Sequence, residues 1–128
     1  MDFDDKEIIR HLDQYQREAL KTAGDHGGYE SRLLYGGVSL ADESGEVLGK
    51  IKKQVWHGYA RNADSIGEEL GDVLWSLAYL ARQLGFSLSQ IATMNIEKLK
   101  TRYPEGFKKG GGIRVVEPTP PVEDPAED

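Results

Sequence analysis

The chain has 128 residues, 22 acidic against 16 basic, with a formal net charge of -6, which suits one domain with a single core. The acidic balance speaks against a nucleic-acid binder, which would present a basic face, but it allows a nucleotide ligand, because a bound divalent cation reverses the local field. With no cysteine, no apolar run near the roughly 18 residues of a membrane span and an acidic start at Met1-Asp2-Phe3-Asp4-Asp5, disulfide, thiolate and zinc–cysteine chemistry are excluded and a soluble cytoplasmic protein is expected.

Four helical segments are predicted, and no convincing strand. The first runs from about Asp4 to Thr22, with Ile8, Leu12, Tyr15, Ala19 and Leu20 at three- and four-residue spacing. Gly24-Asp25-His26-Gly27-Gly28 breaks it. Tyr29 to Tyr35 reads as a short helical turn before Gly36-Gly37, and a second long helix follows from about Ser39 to Val55. After the loop 57–63, Ser65 and Glu68 form an S-x-x-E capping box that opens a third helix to about Leu84, closed by Gly85. Ser87 and Gln90 make a second box, starting a helix that runs to Arg102 or Tyr103, where Pro104 stops it. Residues 1–109 thus form the helical domain. Residues 110–128 open on Gly110-Gly111-Gly112, carry all the prolines but one, and read as an extended or disordered tail with a short strand or partner-binding segment at Ile113–Val116.

The chemistry lies in two acidic pairs. On a helix, residues three and four apart share a face. Glu43 and Glu46 lie along one edge of the stripe Leu40, Val47 and Ile51, and Glu69 and Asp72 stand likewise beside Val73, Leu77, Leu80 and Leu84. Two antiparallel helices packed through these stripes would bring four carboxylates together at the border of the core. Carboxylates that close repel and need a counter-charge, and a hard cation, magnesium or manganese, supplies it. Di-iron bundles place a histidine three residues after a glutamate, and His11, His26 and His57 do not stand so. Asn95, Lys98 and Arg102, at i, i+3 and i+7, give one face of the fourth helix the opposite sign. A lysine point charge and a bidentate arginine suit a phosphorylated ligand and a phosphoryl-transfer transition state. A lone E-x-x-E is a weak signal, since exposed helix faces carry many; two on consecutive helices at the edge of the apolar stripe are a stronger one.

Together these residues resemble the MazG-like, all-α nucleoside triphosphate pyrophosphohydrolases, over roughly Tyr15 to Phe107. The matching blocks are Asp42-Glu43-Ser44-Gly45-Glu46, then Glu68-Glu69-Leu70-Gly71-Asp72-Val73-Leu74-Trp75, then Asn95 to Phe107, in the family's order. The resemblance implies a four-helix-bundle-like fold, assembled as a homodimer or homotetramer with sites built between subunits. It also implies magnesium-dependent cleavage between the α- and β-phosphates of a nucleoside triphosphate, with deoxynucleotides weakly favoured. Glu43, Glu46, Glu69 and Asp72 then become metal ligands, one of which orients the attacking water. Lys98 and Arg102 become phosphate contacts and Asn95 a polar contact to the ligand.

Other residues are weighed against plainer roles. Lys50 and Lys53 are more often solvated or paired to a glutamate than bound to phosphate. Trp56 and His57 are candidate base contacts, although a buried tryptophan at a helix end is the commoner case. Tyr15, Gln16 and the Gly36-Gly37 turn are candidates to line a base pocket, and Trp75 reads as core or subunit interface. Gly45, Gly49 and Gly71 each weaken a helix by about 1 kcal/mol relative to alanine, so close approach of a helix or a ligand is expected there. The rival readings are a phosphohydrolase releasing orthophosphate and a nucleotide- or partner-binding helical module without turnover.

Overall fold

The computed structural model describes residues 8–109; the expected tail and the Ile113–Val116 segment lie outside them, as do Asp4–Glu7 at the start of the expected first helix. Among the described residues the fold is all helical: α1 (Leu12–Ala19) runs into a 3-10 turn (Leu20–Thr22), followed by α2 (Tyr29–Trp56), α3 (Ala63–Gln83) and α4 (Leu88–Arg102). No helix among these residues is long and apolar enough to cross a membrane. The chain divides into two units, Met1–Thr93 and Met94–Asp128.

In the first unit, α1 starts later than expected: Ile8 to His11 are not helical, and His11 is extended at φ -123°. Ile8 and Ile9 remain about half exposed, and a β-branched pair that buries no face gains too little from packing to hold a helical turn. The opposite correction applies to α2. Gly36-Gly37 does not interrupt it, and one helix of 28 residues runs through both. Gly36 is buried against α3, where an added Cβ would meet Tyr79 Cδ1 at 3.1 Å and Leu80 Cδ1 at 3.2 Å. Close approach of the two helices therefore offsets the intrinsic cost of glycine.

Helices α2 and α3 are antiparallel: Arg32 Nε donates to Gln83 Oε1 (2.8 Å), Gly36 meets Tyr79, and Lys50 meets Ser65. The buried core is Leu20, Ala78, Tyr79, Ala81 and Leu88, with Tyr15, Ala23, Trp75, Leu77 and Ile91 packed on it. It lies between α1, α3 and the start of α4. The fully buried side of α3 is thus Ser76, Ala78, Tyr79 and Ala81, while the expected stripe residue Leu84 is 50% exposed. The phase shifts because α3 packs against α1 as well as α2. Trp75, expected at the core or a subunit interface, packs against the core: it stacks on Tyr79, and its Nε1 donates to Ala19 O (3.0 Å) and Thr22 Oγ1 (2.9 Å). His26, in the segment between α1 and α2, stacks on Tyr35 at 3.5 Å.

The helix ends obey local chemistry, with one correction. Asn62, not Ser65, caps α3: its Oδ1 accepts from Ser65 N at 3.0 Å. The helix gains three residues at its start, and Ser65 Oγ is left to accept from Lys50 Nζ. The Ser87–Gln90 box forms as expected, with Ser87 N donating to Gln90 Oε1 (2.9 Å) and Gln90 N to Ser87 Oγ (3.1 Å). Gly85, at φ +81°, closes α3 in the left-handed conformation that glycine favours.

Gln16 performs a structural task the sequence did not reveal. Its Oε1 accepts from Leu88 N (3.0 Å), and its Nε2 donates to Ala78 O and Phe86 O (both 3.1 Å). Asp13 adds bonds from Ser89 N (2.9 Å) and Ser89 Oγ (2.6 Å). Side chains of α1 therefore occupy the amides left open at the start of α4, and Gln16 is spent on that clamp instead of lining a base pocket. In the second unit α4 ends at Arg102 before Pro104, and Tyr103 and Phe107 pack ring to ring at 5.9 Å.

Candidate active site

The inner face of α2 carries Glu43 and that of α3 carries Glu69 and Asp72. One carboxylate oxygen from each lies within 4.8 Å of the others. Glu46 stands outside this trio. About 100° of turn per residue carries it some 60° round α2 from Glu43, to an exposed position at the rim.

The trio is electrostatically unbalanced. Loss of solvation pushes the Glu43 carboxyl above its usual range, and the charges of Asp72, Asp42, Glu69 and Glu46 push it the same way. Among the described residues of the same unit, Lys50 answers: its Nζ sits 2.7 Å from Glu69 Oε1. It also donates to Ser65 Oγ (2.7 Å) and Ser65 O (3.1 Å), which uses all three of its protons. The plainer reading of Lys50, pairing with a glutamate, is the one the geometry gives. Three clustered hard oxygen donors with a surplus of negative charge suit a divalent magnesium or manganese ion.

Tyr15 comes from α1 to the same place. It packs on the core, and burial together with the Asp72 charge raises its hydroxyl's pKa above the ordinary value. Trp56 and His57 are not brought there. Trp56 ends α2 with 77% of its surface exposed, contrary to the buried position expected of a helix-end tryptophan. At 1.5 Å per residue it lies about 20 Å along the axis from Glu43. Asn95, Lys98 and Arg102 are exposed on the part of α4 that belongs to the second unit. An added Cβ at Gly45, Gly49 or Gly71 meets nothing within 4 Å, so packing among the described residues does not account for these three glycines.

An antiparallel helix pair holding three carboxylates on its inner face defines an all-α protein with a candidate divalent-cation centre. Residues 37–107, more than half of the chain, match the MazG nucleotide pyrophosphohydrolase domain, and the chain belongs to that family. The matched span holds both acidic pairs and Asn95, Lys98 and Arg102; Tyr15 precedes it. The chain is also similar to the Gene 37 protein of Mycobacterium phage L5, 37% identical over 111 residues, which cover 80% of this chain and 96% of that protein. No solved structure matches it.

Proposed function

We propose that the protein hydrolyses a nucleoside triphosphate to a nucleoside monophosphate and pyrophosphate. The observation that carries this reading is the convergence of Glu43, Glu69 and Asp72 within 4.8 Å, inside the span that matches the family. Deoxynucleotides are weakly favoured as substrates on the family resemblance alone.

Glu43, Glu69 and Asp72 would hold magnesium, with Glu46 at the rim as a fourth ligand, and manganese would substitute. The ion would supply charge neutralisation at the phosphates and Lewis acidity towards the attacking water. The residues of the chain do the rest. One of the four carboxylates orients the attacking water and accepts its proton. Attack falls on the α-phosphorus, the bond from it to the bridging oxygen breaks, and pyrophosphate leaves. Lys98 and Arg102 take the phosphate charge and Asn95 a polar group of the ligand.

Assembly as a homodimer or homotetramer belongs to the same reading. Only Gly36 of the 28 residues of α2 is buried, while Leu34, Val38, Leu48 and Trp56 on its outer side are 59–77% exposed. Gly45 and Gly49 leave that side smooth, and a second copy would cover it. With Trp56 about 20 Å along α2 from Glu43, base contact by Trp56 or His57 is made in the site of a second copy, whereas Tyr15 serves its own.

The test is a panel of ribo- and deoxynucleoside triphosphates with magnesium or manganese, scored for pyrophosphate against orthophosphate. Release of pyrophosphate, lost in Glu69→Gln and Asp72→Asn, is the expected result. Release of orthophosphate would favour the rival hydrolase, and no turnover of any triphosphate would favour a binding module.

A further inference from the structure

At the turn between α2 and α3, directly beyond Lys50, the helices open into a cleft of about 430 Å³. Its cationic walls are Lys50, Lys53 and Arg61; Gln54, Tyr59, Asn62 and Ser65 complete the polar lining, and among the described residues none that lines it is acidic. In a chain with a net charge of -6, three cations around one cavity are a local reversal of sign. The backbone holds the walls in place. Gly58, at φ +71°, turns the chain so that Tyr59 N reaches back to Lys53 O (3.3 Å), and Asn62 caps the first turn of α3. The positive end of the α3 dipole adds to the field there.

Lys50 belongs to both places. Its ammonium closes on Glu69 of the acidic trio, and the same side chain walls the cleft. A divalent cation drawn to Glu43, Glu69 and Asp72 competes with that ammonium for Glu69 and repels it at short range. Released from Glu69, the Lys50 head group would turn to the cleft and join Lys53 and Arg61 there.

We propose that this cleft is an anion subsite for the terminal phosphates of the substrate and for the pyrophosphate product, completed by Lys50 when metal loads the acidic trio. The inference rests on the triphosphate reading for the identity of its ligand. The α-phosphate would lie at the carboxylates and the β- and γ-phosphates would run past Lys50 towards Lys53 and Arg61. Lys98 and Arg102 are then not the only cations that hold the leaving group.

Calorimetric titration of inorganic pyrophosphate into the full chain, with and without magnesium, tests this. The variant is the double substitution Lys53→Gln and Arg61→Gln, both at exposed positions, with Lys53→Ala and Arg61→Ala singly as a second set should the pair reduce solubility. The expected result is magnesium-enhanced binding of pyrophosphate to the wild type, weakened about tenfold or more in the double variant. Nucleoside monophosphate binding and manganese affinity, read by electron paramagnetic resonance, stay unchanged. Wild-type protein that does not bind pyrophosphate, or equal affinity in wild type and variant, overturns the subsite. So does an equal loss for monophosphate and pyrophosphate, which marks a general charge effect. Turnover separates the two claims. A wild type that hydrolyses no triphosphate but binds pyrophosphate through Lys53 and Arg61 sinks the proposed function and keeps the subsite. Hydrolysis with pyrophosphate affinity indifferent to both residues does the reverse.

Discussion

Glu43 is held among like charges, and its folded-state pKa is raised above the ordinary 4.5. The folded chain therefore binds this proton more tightly than the unfolded chain. Glu43 costs no stability well below that value, and its cost grows as pH rises through the folded pKa and persists above it. In metal-free protein at neutral pH, Glu43→Gln should raise the melting temperature and flatten this pH dependence. Addition of magnesium should then stabilise the variant less than the wild type, because a ligand has gone. Thermal unfolding with chelator and with magnesium reads both effects; a metal-induced shift equal in the two proteins would remove Glu43 from the site. Asp13 has the opposite sign: bonds from Ser89 Oγ and Ser89 N hold its pKa below 3.8. Its contribution is present above that value and is lost as pH falls through the folded pKa, so Asp13→Asn should weaken the acid dependence of unfolding. Spacing along a helix made the acidic residues legible in the sequence, because an i, i+3 pair beside an apolar stripe is a local pattern. It could not separate Glu46 from the trio, since some 60° of helical turn decides which carboxylates meet. Gln16 was legible only as a polar residue; its three partners lie more than 60 positions away in sequence.

The helices show where local propensity and packing disagree. The Gly36-Gly37 pair reads as a break because glycine is costly in a helix, and that cost is real. It is met at Gly36 by contact with Tyr79 and Leu80, which no local pattern discloses. Gly36→Ala should therefore destabilise the protein by about 1–3 kcal/mol through overpacking, while Gly37→Ala, with nothing within 4 Å of its added Cβ, should not. Chemical denaturation of the two variants decides it; equal effects would mean that helix approach is not what Gly36 serves. The clamp from α1 to α4 makes a second expectation. Gln16→Ala leaves Leu88 N and the carbonyls of Ala78 and Phe86 without this partner, and a loss of about 2–4 kcal/mol is expected. The Ser87–Gln90 box was readable because both partners are neighbours. Asn62 displaced Ser65 as the cap of α3 because two residues with capping side chains compete there, and Lys50, from another helix, engages Ser65.

At the scale of the molecule, a core of five buried hydrophobic residues among the described ones and an α2 with one buried residue leave much of the described apolar surface in water. The assembly proposed above places it between copies. A charge on the outer side of α2, as in Val38→Glu or Leu48→Glu, should then dissociate the wild-type oligomer, as measured by light scattering after gel filtration. A wild type that is monomeric at assay concentration would contradict the assembly. The all-helical class and the order of the acidic and basic blocks were legible from sequence, because both rest on periodicity and spacing. The cleft beside Lys50 was not, since a loop and two helix ends build it together.

The central claim is that the carboxylates gathered from α2 and α3 direct water to the α-phosphorus of a nucleoside triphosphate. Hydrolysis of a deoxynucleoside triphosphate in water labelled with heavy oxygen, with magnesium, by wild type and Asp72→Asn, tests it most directly. The account predicts label in the nucleoside monophosphate, unlabelled pyrophosphate, and a rate reduced roughly a hundredfold in the variant. Label in orthophosphate, or an Asp72→Asn variant that turns over like the wild type, would contradict it.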